Sequence, residues 1–324
     1  MAPGKKILLI DEPHPFLAQS LEEMGFDCAY HYRTPRAEVL SALHDCQGIL
    51  VRSRLSIDKA LMDAAPQLEF VARYGVGTEH IDLSYAAQKN IAVFTSPEGS
   101  RDTVAEHAMG MLLMLMNKLG KADQEVRHNQ WLREPNRGVE IKGKTVGILG
   151  YGNMGQAFAQ RLAGFECKAV IAYDKFKSNY GNTYAQAVEL EELWDQSDIL
   201  SIHIPFLPEN RYFIDGAFLD RFRKPVYLIN TARGTVLNTA DLVDRLQNGR
   251  LNGAALDVIE YEELSFTKLD LEQLPAPFQY LKTSDRVVLS PHIAGWSHES
   301  KLGHAQVLAE KIAAFIKDHA TKVS

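Results

Sequence analysis

Residues 144–159 read KTVGILGYGNMGQAFA. "TVGIL" is a short apolar run of strand type, "GYGNMG" is a glycine-rich turn, and "QAFA" opens a helical pattern. The turn supplies Gly150, Gly152 and Gly155 in a G-x-G-x-x-G pattern. The first glycine permits a tight exit from the strand. The second lets backbone approach a pyrophosphate, and the third lets the helix pack close to the sheet. Free N–H groups and the positive dipole end at the helix start, around Asn153 and Met154, suit the phosphates. Alone the pattern is weak, but an acid closes the next apolar run. Asp174 in "AVIAYD" lies 19 residues beyond Gly155, near the spacing of about 20 that places a carboxylate on the ribose hydroxyls. A carboxylate there repels a 2′-phosphate, so NAD is expected over NADP. Lys175, next to the acid, works against that discrimination.

This unit begins almost halfway along the chain, and strand and helix signals alternate on both sides of it. Before it come "KKILLID" (5–11), "CQGILVRS" (46–53), "LEFVARYG" (68–75) and "IAVFTS" (91–96), with helical patterns such as "HPFLAQSLEEMGF" between them. Beyond "TVGILG" and "AVIAYD" come "DILSIHIP" (198–205), "PVYLIN" (225–230), "GAALDV" (253–258) and "RVVLSPH" (286–292). Continuous apolar runs of this length mark buried parallel strands, so both blocks are expected to be α/β. A long helix is expected from about Asp102 to Trp131, with Thr103 and Glu106 as a capping box. Its Met and Leu residues are expected in a domain core or a subunit interface. A last helix is expected over 297–319, and residues 264–285 read as an irregular surface excursion.

Bulk properties narrow the function class. The 324 residues suggest about two domains, and 46% hydrophobic with 23% charged residues describes a soluble globular protein. A net charge of −6 argues against nucleic acid or an anionic membrane as partner. Three scattered cysteines, Cys28, Cys46 and Cys167, fit a reducing compartment and neither a metal site nor disulfides. The N-terminus lacks the pattern of a signal peptide. The most apolar stretch, "HAMGMLLMLMNKL" (107–119), is too short to cross a bilayer. A cytoplasmic protein is expected.

Three downstream strand ends carry titratable or cationic groups: Arg233 after "PVYLIN"; Asp257, Glu260 and Glu262 after "GAALDV"; and His292 after "RVVLS". Carboxyl ends of parallel strands gather on one edge of the sheet, where such folds bind ligands. A histidine can exchange a proton with a hydroxyl near neutral pH. A carboxylate behind it favours its charged form, and an arginine grips a carboxylate in a fork. Each has a plainer reading: a satisfied loop histidine, a solvated acidic face, an arginine capping a turn. Three at successive strand ends after a dinucleotide fingerprint weigh against those readings.

Eight stretches, "GILVRSRLSID", "ARYGVGTEHIDL", "TVAEHAMGMLLML", "GKTVGILGYGNMG", "SIHIPFLPEN", "INTARG", "ALDVIEYE" and "PHIAGWSHES", resemble the D-isomer-specific 2-hydroxyacid dehydrogenase family over essentially the whole chain. The resemblance implies two doubly wound parallel-sheet domains, a Rossmann NAD-binding domain (101–291) inserted into a flavodoxin-like substrate domain (1–100 and 292–324). It implies a hinge at the two chain crossings, an active-site cleft, and a homodimer formed through the long helix of the NAD domain. The implied catalytic residues are Arg233, Glu262 and His292. The implied NAD contacts are Gly150, Gly152, Asn153, Met154, Gly155, Asp174, Pro205, Thr231, Ala232, Asp257 and Gly295, with Asp257 near the nicotinamide amide. On the substrate side it implies Arg52, Ser53, Arg73, Tyr74, Gly75, Val76, Arg133 and Trp296. The N–H groups of residues 74–76 would hold a carboxylate, and Arg52, Arg73 and Arg133 match arginines that surround a phosphate in 3-phosphoglycerate dehydrogenases. No metal is implied.

The sequence departs from the family pattern at Glu263, where proline is usual, at "HIAGW" in place of "HxGAS", and at Ser100 in place of asparagine. The regulatory domain of some serine-pathway members has no counterpart, so serine feedback through it is not expected. The first expected substrate pair is 3-phosphoglycerate and 3-phosphohydroxypyruvate, with hydroxypyruvate or glyoxylate reduction as the alternative. From another class, an NAD(H)-sensing scaffold like the C-terminal binding protein corepressors would keep the same trio.

Overall fold

In the computed structural model, which describes residues 5–262 and 269–323, the chain forms two compact units, residues 1–100 with 296–324 and residues 101–295. The first unit runs β1 (Lys5–Leu9), α1 (Pro15–Glu23), β2 (Phe26–Tyr30), α2 (Arg36–Ser41), β3 (Cys46–Val51), α3 (Lys59–Asp63), β4 (Phe70–Arg73), α4 (Leu83–Gln88) and β5 (Ala92–Phe94). Its five strands are all parallel in the order β2-β1-β3-β4-β5, the flavodoxin-like order. The sheet is covered on both faces. Leu8, Ile49, Val51 and Val71 pack with Val39, Leu61 and Ala86 on one side. Ile7, Leu9, Leu50, Phe70 and Ala72 pack on the other with Leu17 and Leu21 and with Leu308 and Ile312 of the C-terminal segment. Neighbouring residues of one strand thus both meet apolar cover, which is why the strands read as unbroken apolar runs.

The second unit runs α5 (Arg101–Met116), α6 (Leu119–Arg127), β6 (Thr145–Leu149), α7 (Asn153–Arg161), β7 (Ala169–Tyr173), β8 (Gln186–Ala187), α8 (Leu190–Gln196), β9 (Ile199–Ile202), α9 (Gly216–Asp220), β10 (Val226–Asn230), α10 (Thr239–Gln247), β11 (Leu251–Leu256), α11 (Ala276–Thr283) and β12 (Val287–Leu289). The chain then returns to the first unit as α12 (His298–Val323). The return falls after Gly295, later than the expected 291, so His292 belongs to the second unit. The seven parallel strands lie in the order β12-β11-β10-β9-β6-β7-β8. The chain winds outward from β6 in one direction and restarts at β9 in the other. The β6/β9 pair is therefore the switch point where a doubly wound sheet opens a crevice. Met109, Leu112, Leu115 and Met116 of α5 and Phe158 of α7 cover one face. Trp194, Phe218, Leu242 and Phe278 cover the other. The methionine-rich helix is a core element of this unit.

Four local expectations need correction. The helix expected over 102–131 is two helices, broken where Lys118 takes a left-handed conformation (φ 53°). Thr103 lies inside α5 and cannot be its N-cap, because the helix starts at Arg101. Part of the excursion at 264–285 is helical, as α11; Glu263 and residues 264–268 lie outside the described residues. Strands β2 and β8 stand outside the expected set. Each is a sheet edge with one neighbour, so "FDCAY" carries polar and exposed positions in place of an apolar run.

Two buried histidines make the first unit acid-sensitive. His304 is 9% exposed, and its Nδ1 meets the Ser96 carbonyl at 2.8 Å. His80 is equally buried. Burial, joined by the nearby Arg73 charge, pushes the pKa of each down to about 4. Both stay neutral in the folded chain while the unfolded chain takes up protons below about 6.5. Stability is therefore complete above that pH and is lost as pH falls toward 4. Urea unfolding at pH 7 and pH 5 should show a loss of roughly 2 kcal/mol per histidine at the lower pH. Equal stabilities would show that these histidines protonate in the folded state.

Candidate functional site

The fingerprint residues sit where β6 meets α7. Gly150 has φ 93°, which turns the chain sharply off the strand. A Cβ on Gly155 would fall 2.2 Å from the Gly150 carbonyl oxygen, so only glycine lets α7 approach the strand end this closely. A Cβ on Gly152 would meet nothing within 4 Å, which leaves open space over the turn. Gly152 caps α7 without a side chain, and the N–H groups of Asn153, Met154 and Gly155 have no acceptor among the described residues. Open space, unpaired N–H groups and a helix dipole fit the pyrophosphate of a dinucleotide.

Asp174 follows β7. Its carboxylate accepts the N–H of Tyr151 at 2.8 Å and of Phe176 at 3.0 Å. Lys177 donates to the Tyr151 carbonyl at 2.8 Å. The acid thus fixes the glycine-rich turn as well as standing beside it. Beyond β9, Pro205 is exposed and its carbonyl accepts from the Asn210 amide at 2.9 Å.

The turn after β10 is built by a residue that the sequence reading passes over. Asn230 is fully buried; its side chain accepts from Ala232 N–H at 3.0 Å and donates to the Arg233 carbonyl at 3.1 Å. Thr231 carries a buried hydroxyl with no hydrogen-bond partner. Arg233 donates to the Ala232 carbonyl at 2.7 Å. A Cβ on Gly234 would fall 1.9 Å from the Ile259 backbone, so the arginine turn presses directly on the segment after β11.

That segment sorts its three acids. Glu260 accepts the N–H of Thr239 at 3.0 Å at the start of α10, a structural task. Glu262 accepts the N–H of Ile259 at 2.6 Å through Oε1 and meets His292 Nδ1 at 2.5 Å through Oε2. The two side chains are 16% and 27% exposed, so solvent screens their contact only partly. Asp257 is 1% exposed. Its carboxylate accepts from Ser290 Oγ at 2.6 Å, Ile293 N–H at 2.9 Å and Ala294 N–H at 2.8 Å. Burial pushes its pKa up, but hydrogen bonds from His107, Ser290 and the two N–H groups outweigh this and hold it below the usual carboxylate range. The Asp257 carboxylate is thus spent within its own unit, on the loop that carries His292. Gly295 ends that loop.

Within the first unit the substrate-side residues depart from expectation. Tyr74 N–H donates to the Val51 carbonyl at 2.8 Å, and Gly75 N–H to Ser96 Oγ at 3.2 Å. Neither amide is open to a carboxylate. The N–H groups of Val76 and Gly77 make no hydrogen bond among the described residues, and the sequence reading does not single out Gly77. Arg73 is 9% exposed, with Nε 2.7 Å from the Gly77 carbonyl and Nη1 2.6 Å from the Tyr74 carbonyl. It braces the loop from inside. Gly75 has φ 140°, and a Cβ there would strike Arg73 Nη1 at 1.7 Å. The Arg52 guanidinium stacks on the Trp296 ring at 3.9 Å, and burial lowers its pKa. The N–H groups of Arg52 and Ser53 both donate to Asp11, at 2.6 and 3.2 Å. Arg133 belongs to the second unit, exposed in the segment after α6. The three arginines do not assemble into one pocket within either unit.

Among the described residues no group of three His, Cys, Asp or Glu side chains is placed to hold a metal ion. No helix there is long and apolar enough to cross a membrane.

The sequence pattern of the D-isomer specific 2-hydroxyacid dehydrogenase NAD-binding domain matches residues 109–294. A glyoxylate reductase from Thermofilum pendens is 37% identical over 87% of this chain and 82% of its own length. A D-3-phosphoglycerate dehydrogenase from Archaeoglobus fulgidus is 32% identical over 96% of this chain, which spans only 57% of that relative. The crystal structure of D-lactate dehydrogenase from Aquifex aeolicus, complexed with NAD and lactic acid, superposes with a TM-score of 0.80 at 27% identity, over 98% of this chain and 97% of that one. The doubly wound sheet agrees with these matches, and the chain belongs to the D-isomer specific 2-hydroxyacid dehydrogenase family, with its second unit an NAD-binding domain.

Proposed function

We propose that this protein is an NAD(H)-dependent oxidoreductase that interconverts a small, unphosphorylated 2-keto acid and its D-2-hydroxy acid, with glyoxylate and hydroxypyruvate as the best-matched substrates. The observation that carries the reading is the contact between His292 Nδ1 and Glu262 Oε2 at 2.5 Å, on the sheet edge that also holds the open N–H groups of α7.

Bound NAD(H) supplies or accepts the hydride. In reduction, the His292 imidazolium gives a proton to the carbonyl oxygen; in oxidation it takes the hydroxyl proton back. Glu262 fixes the ring through Nδ1, so the exchanged proton sits on Nε2, and its charge supports the imidazolium. Arg233 aligns the substrate carboxylate and polarises the neighbouring carbonyl. In the first unit, the unpaired N–H groups of Val76 and Gly77 suit a carboxylate oxygen.

The two arginines of the first unit support the smaller substrate. A phosphate would need accessible guanidinium groups. Arg73 is buried and bonded to its own loop, and Arg52 is stacked on Trp296. The similarity to a glyoxylate reductase supports the same choice. Initial rates of NADH oxidation with glyoxylate, hydroxypyruvate and 3-phosphohydroxypyruvate at equal concentration test it. The unphosphorylated acids should show at least about tenfold higher kcat/KM, and His292→Ala should lower turnover by about 10³-fold with NADH binding kept. A preference for the phosphorylated acid would assign the arginines to phosphate. Tight NADH binding without turnover of any acid would make the protein a cofactor-sensing scaffold.

Cofactor choice rests on Asp174. Replacing it with Ala should raise KM for NADH about tenfold and narrow the gap to NADPH. An unchanged preference would mean that this acid serves only the glycine-rich turn.

A second copy of the chain is the proposed partner of the second unit. Met114, Leu119, Val126, Trp131 and Leu132 expose apolar side chains on and after α5 and α6, Trp131 to 81%. Light scattering should give twice the chain mass, and Trp131→Asp should shift it toward one. A wild-type monomer at micromolar concentration would refute the dimer.

A further inference from the structure

His292 stands in an uncommon backbone conformation. Its φ is 55°, in the left-handed region, where a side chain carries a steric cost. The surroundings must impose it. Beside the Ser290 carbonyl, which lies 3.1 Å from the His292 N–H, the main hold is Asp257. Its backbone carbonyl accepts the His292 N–H at 2.7 Å, while its carboxylate takes the N–H groups of Ile293 and Ala294. Three consecutive N–H groups thus hang on one residue at the end of β11.

A buried carboxylate can turn about its last bonds unless its oxygens are held. Two side chains add to the hold on this one, both at Oδ1. Ser290 Oγ lies 2.6 Å from Asp257 Oδ1 and 2.9 Å from Nε2 of His107, which projects from α5. His107 Nε2 itself lies 3.4 Å from Asp257 Oδ1. The proton count fixes the direction. The ionised carboxylate only accepts, so the single hydroxyl proton of Ser290 points to Asp257. The Ser290 lone pairs then face His107, and Nε2 must carry a proton. Donors therefore converge on the Asp257 carboxylate, His107 through Ser290 on one path and the N–H groups of Ile293 and Ala294 on the other, while the His292 N–H donates to the carbonyl of the same residue.

We propose that His107 and Ser290 are positioning residues for the hydrogen-transfer reaction: they lock the Asp257 carboxylate in the orientation that holds His292 in its left-handed conformation, with Nδ1 on Glu262. The inference rests on the reading of His292 as the proton-exchanging group. It gives a helix of the unit's core, α5, a direct part in aiming that group. The groups facing Asp257 are His107 from α5 and Ser290 and the N–H groups of 292–294 from the segment after β12; His292 in turn faces Glu262.

The test uses the full-length protein with NADH and whichever 2-keto acid it turns over best. His107→Leu removes the donor at nearly constant volume. His107→Gln replaces it, because the glutamine amide can donate from nearly the same place as Nε2. His107→Leu and Ser290→Ala should each lower kcat about tenfold, leave NADH affinity by fluorescence titration within twofold, and leave KM for the keto acid nearly unchanged. His107→Gln should recover most of the lost kcat. Equal rates for His107→Leu and His107→Gln, an unchanged kcat in His107→Leu, or a parallel loss of NADH affinity would overturn the proposal. If His107→Leu does not fold, Ser290→Ala decides the matter by the same readings. His292→Ala separates the two levels: if it keeps its activity, the reading of His292 fails; if it is inactive while the other variants match wild type, only the positioning role fails.

Discussion

Asp257 holds a full negative charge at 1% exposure, and such a charge persists only where donors surround it. Ser290, Ile293, Ala294 and, at longer range, His107 provide them. The requirement works in both directions. The donors keep the carboxylate ionised, and the carboxylate fixes the path of the chain after β12. Removing the carboxylate would leave the buried N–H of Ala294 without its acceptor, at a cost of about 1–3 kcal/mol, and would free the partly buried N–H of Ile293 as well. The shape of the His292 loop therefore follows from electrostatics in the core of the NAD-binding unit, and the loop needs no ligand to define it.

Parallel winding decides where that loop emerges. Because every strand of the second sheet runs the same way, Gly150, Asp174, Thr231, Asp257 and His292 all follow carboxyl ends and share one edge. The switch between β6 and β9 parts the connections above that edge. The sheet also separates duties among similar residues. Glu260 and Glu262 are two positions apart, yet one caps α10 and the other faces His292.

Much of this was legible in the sequence for a physical reason. Strands buried on both faces must be apolar throughout, so most strands of both sheets announce themselves, whereas β2 carries polar and exposed positions and β8 is only two residues long. The fingerprint glycines were legible because steric exclusion admits no other residue at Gly150 or Gly155. Asn230, His107, Ser290 and Gly77 were not. Asparagine, histidine and serine are common in helices and turns; His107 and Ser290 act on each other from 183 positions apart, and the Asn230 side chain bonds within its own turn, where its type alone does not mark it out. The break at Lys118 was equally hidden, since the glycine beside it, Gly120, falls within α6 and the left-handed residue itself is a lysine.

The arginines show where residue type misleads. A sequence presents Arg52, Arg73 and Arg133 as three equivalent charges. Folding makes them unequal, because a guanidinium that loses water must find acceptors at once. Arg73 finds them in the Tyr74 and Gly77 carbonyls, the two ends of a single turn. With those ends pinned and the Gly75 N–H held by Ser96, the N–H groups of Val76 and Gly77 are the ones left unpaired. A buried arginine can thus determine which amides of its own loop stay unpaired. Its contribution is the shape of the turn, and charge counting along the sequence could not separate that role from contact with a ligand.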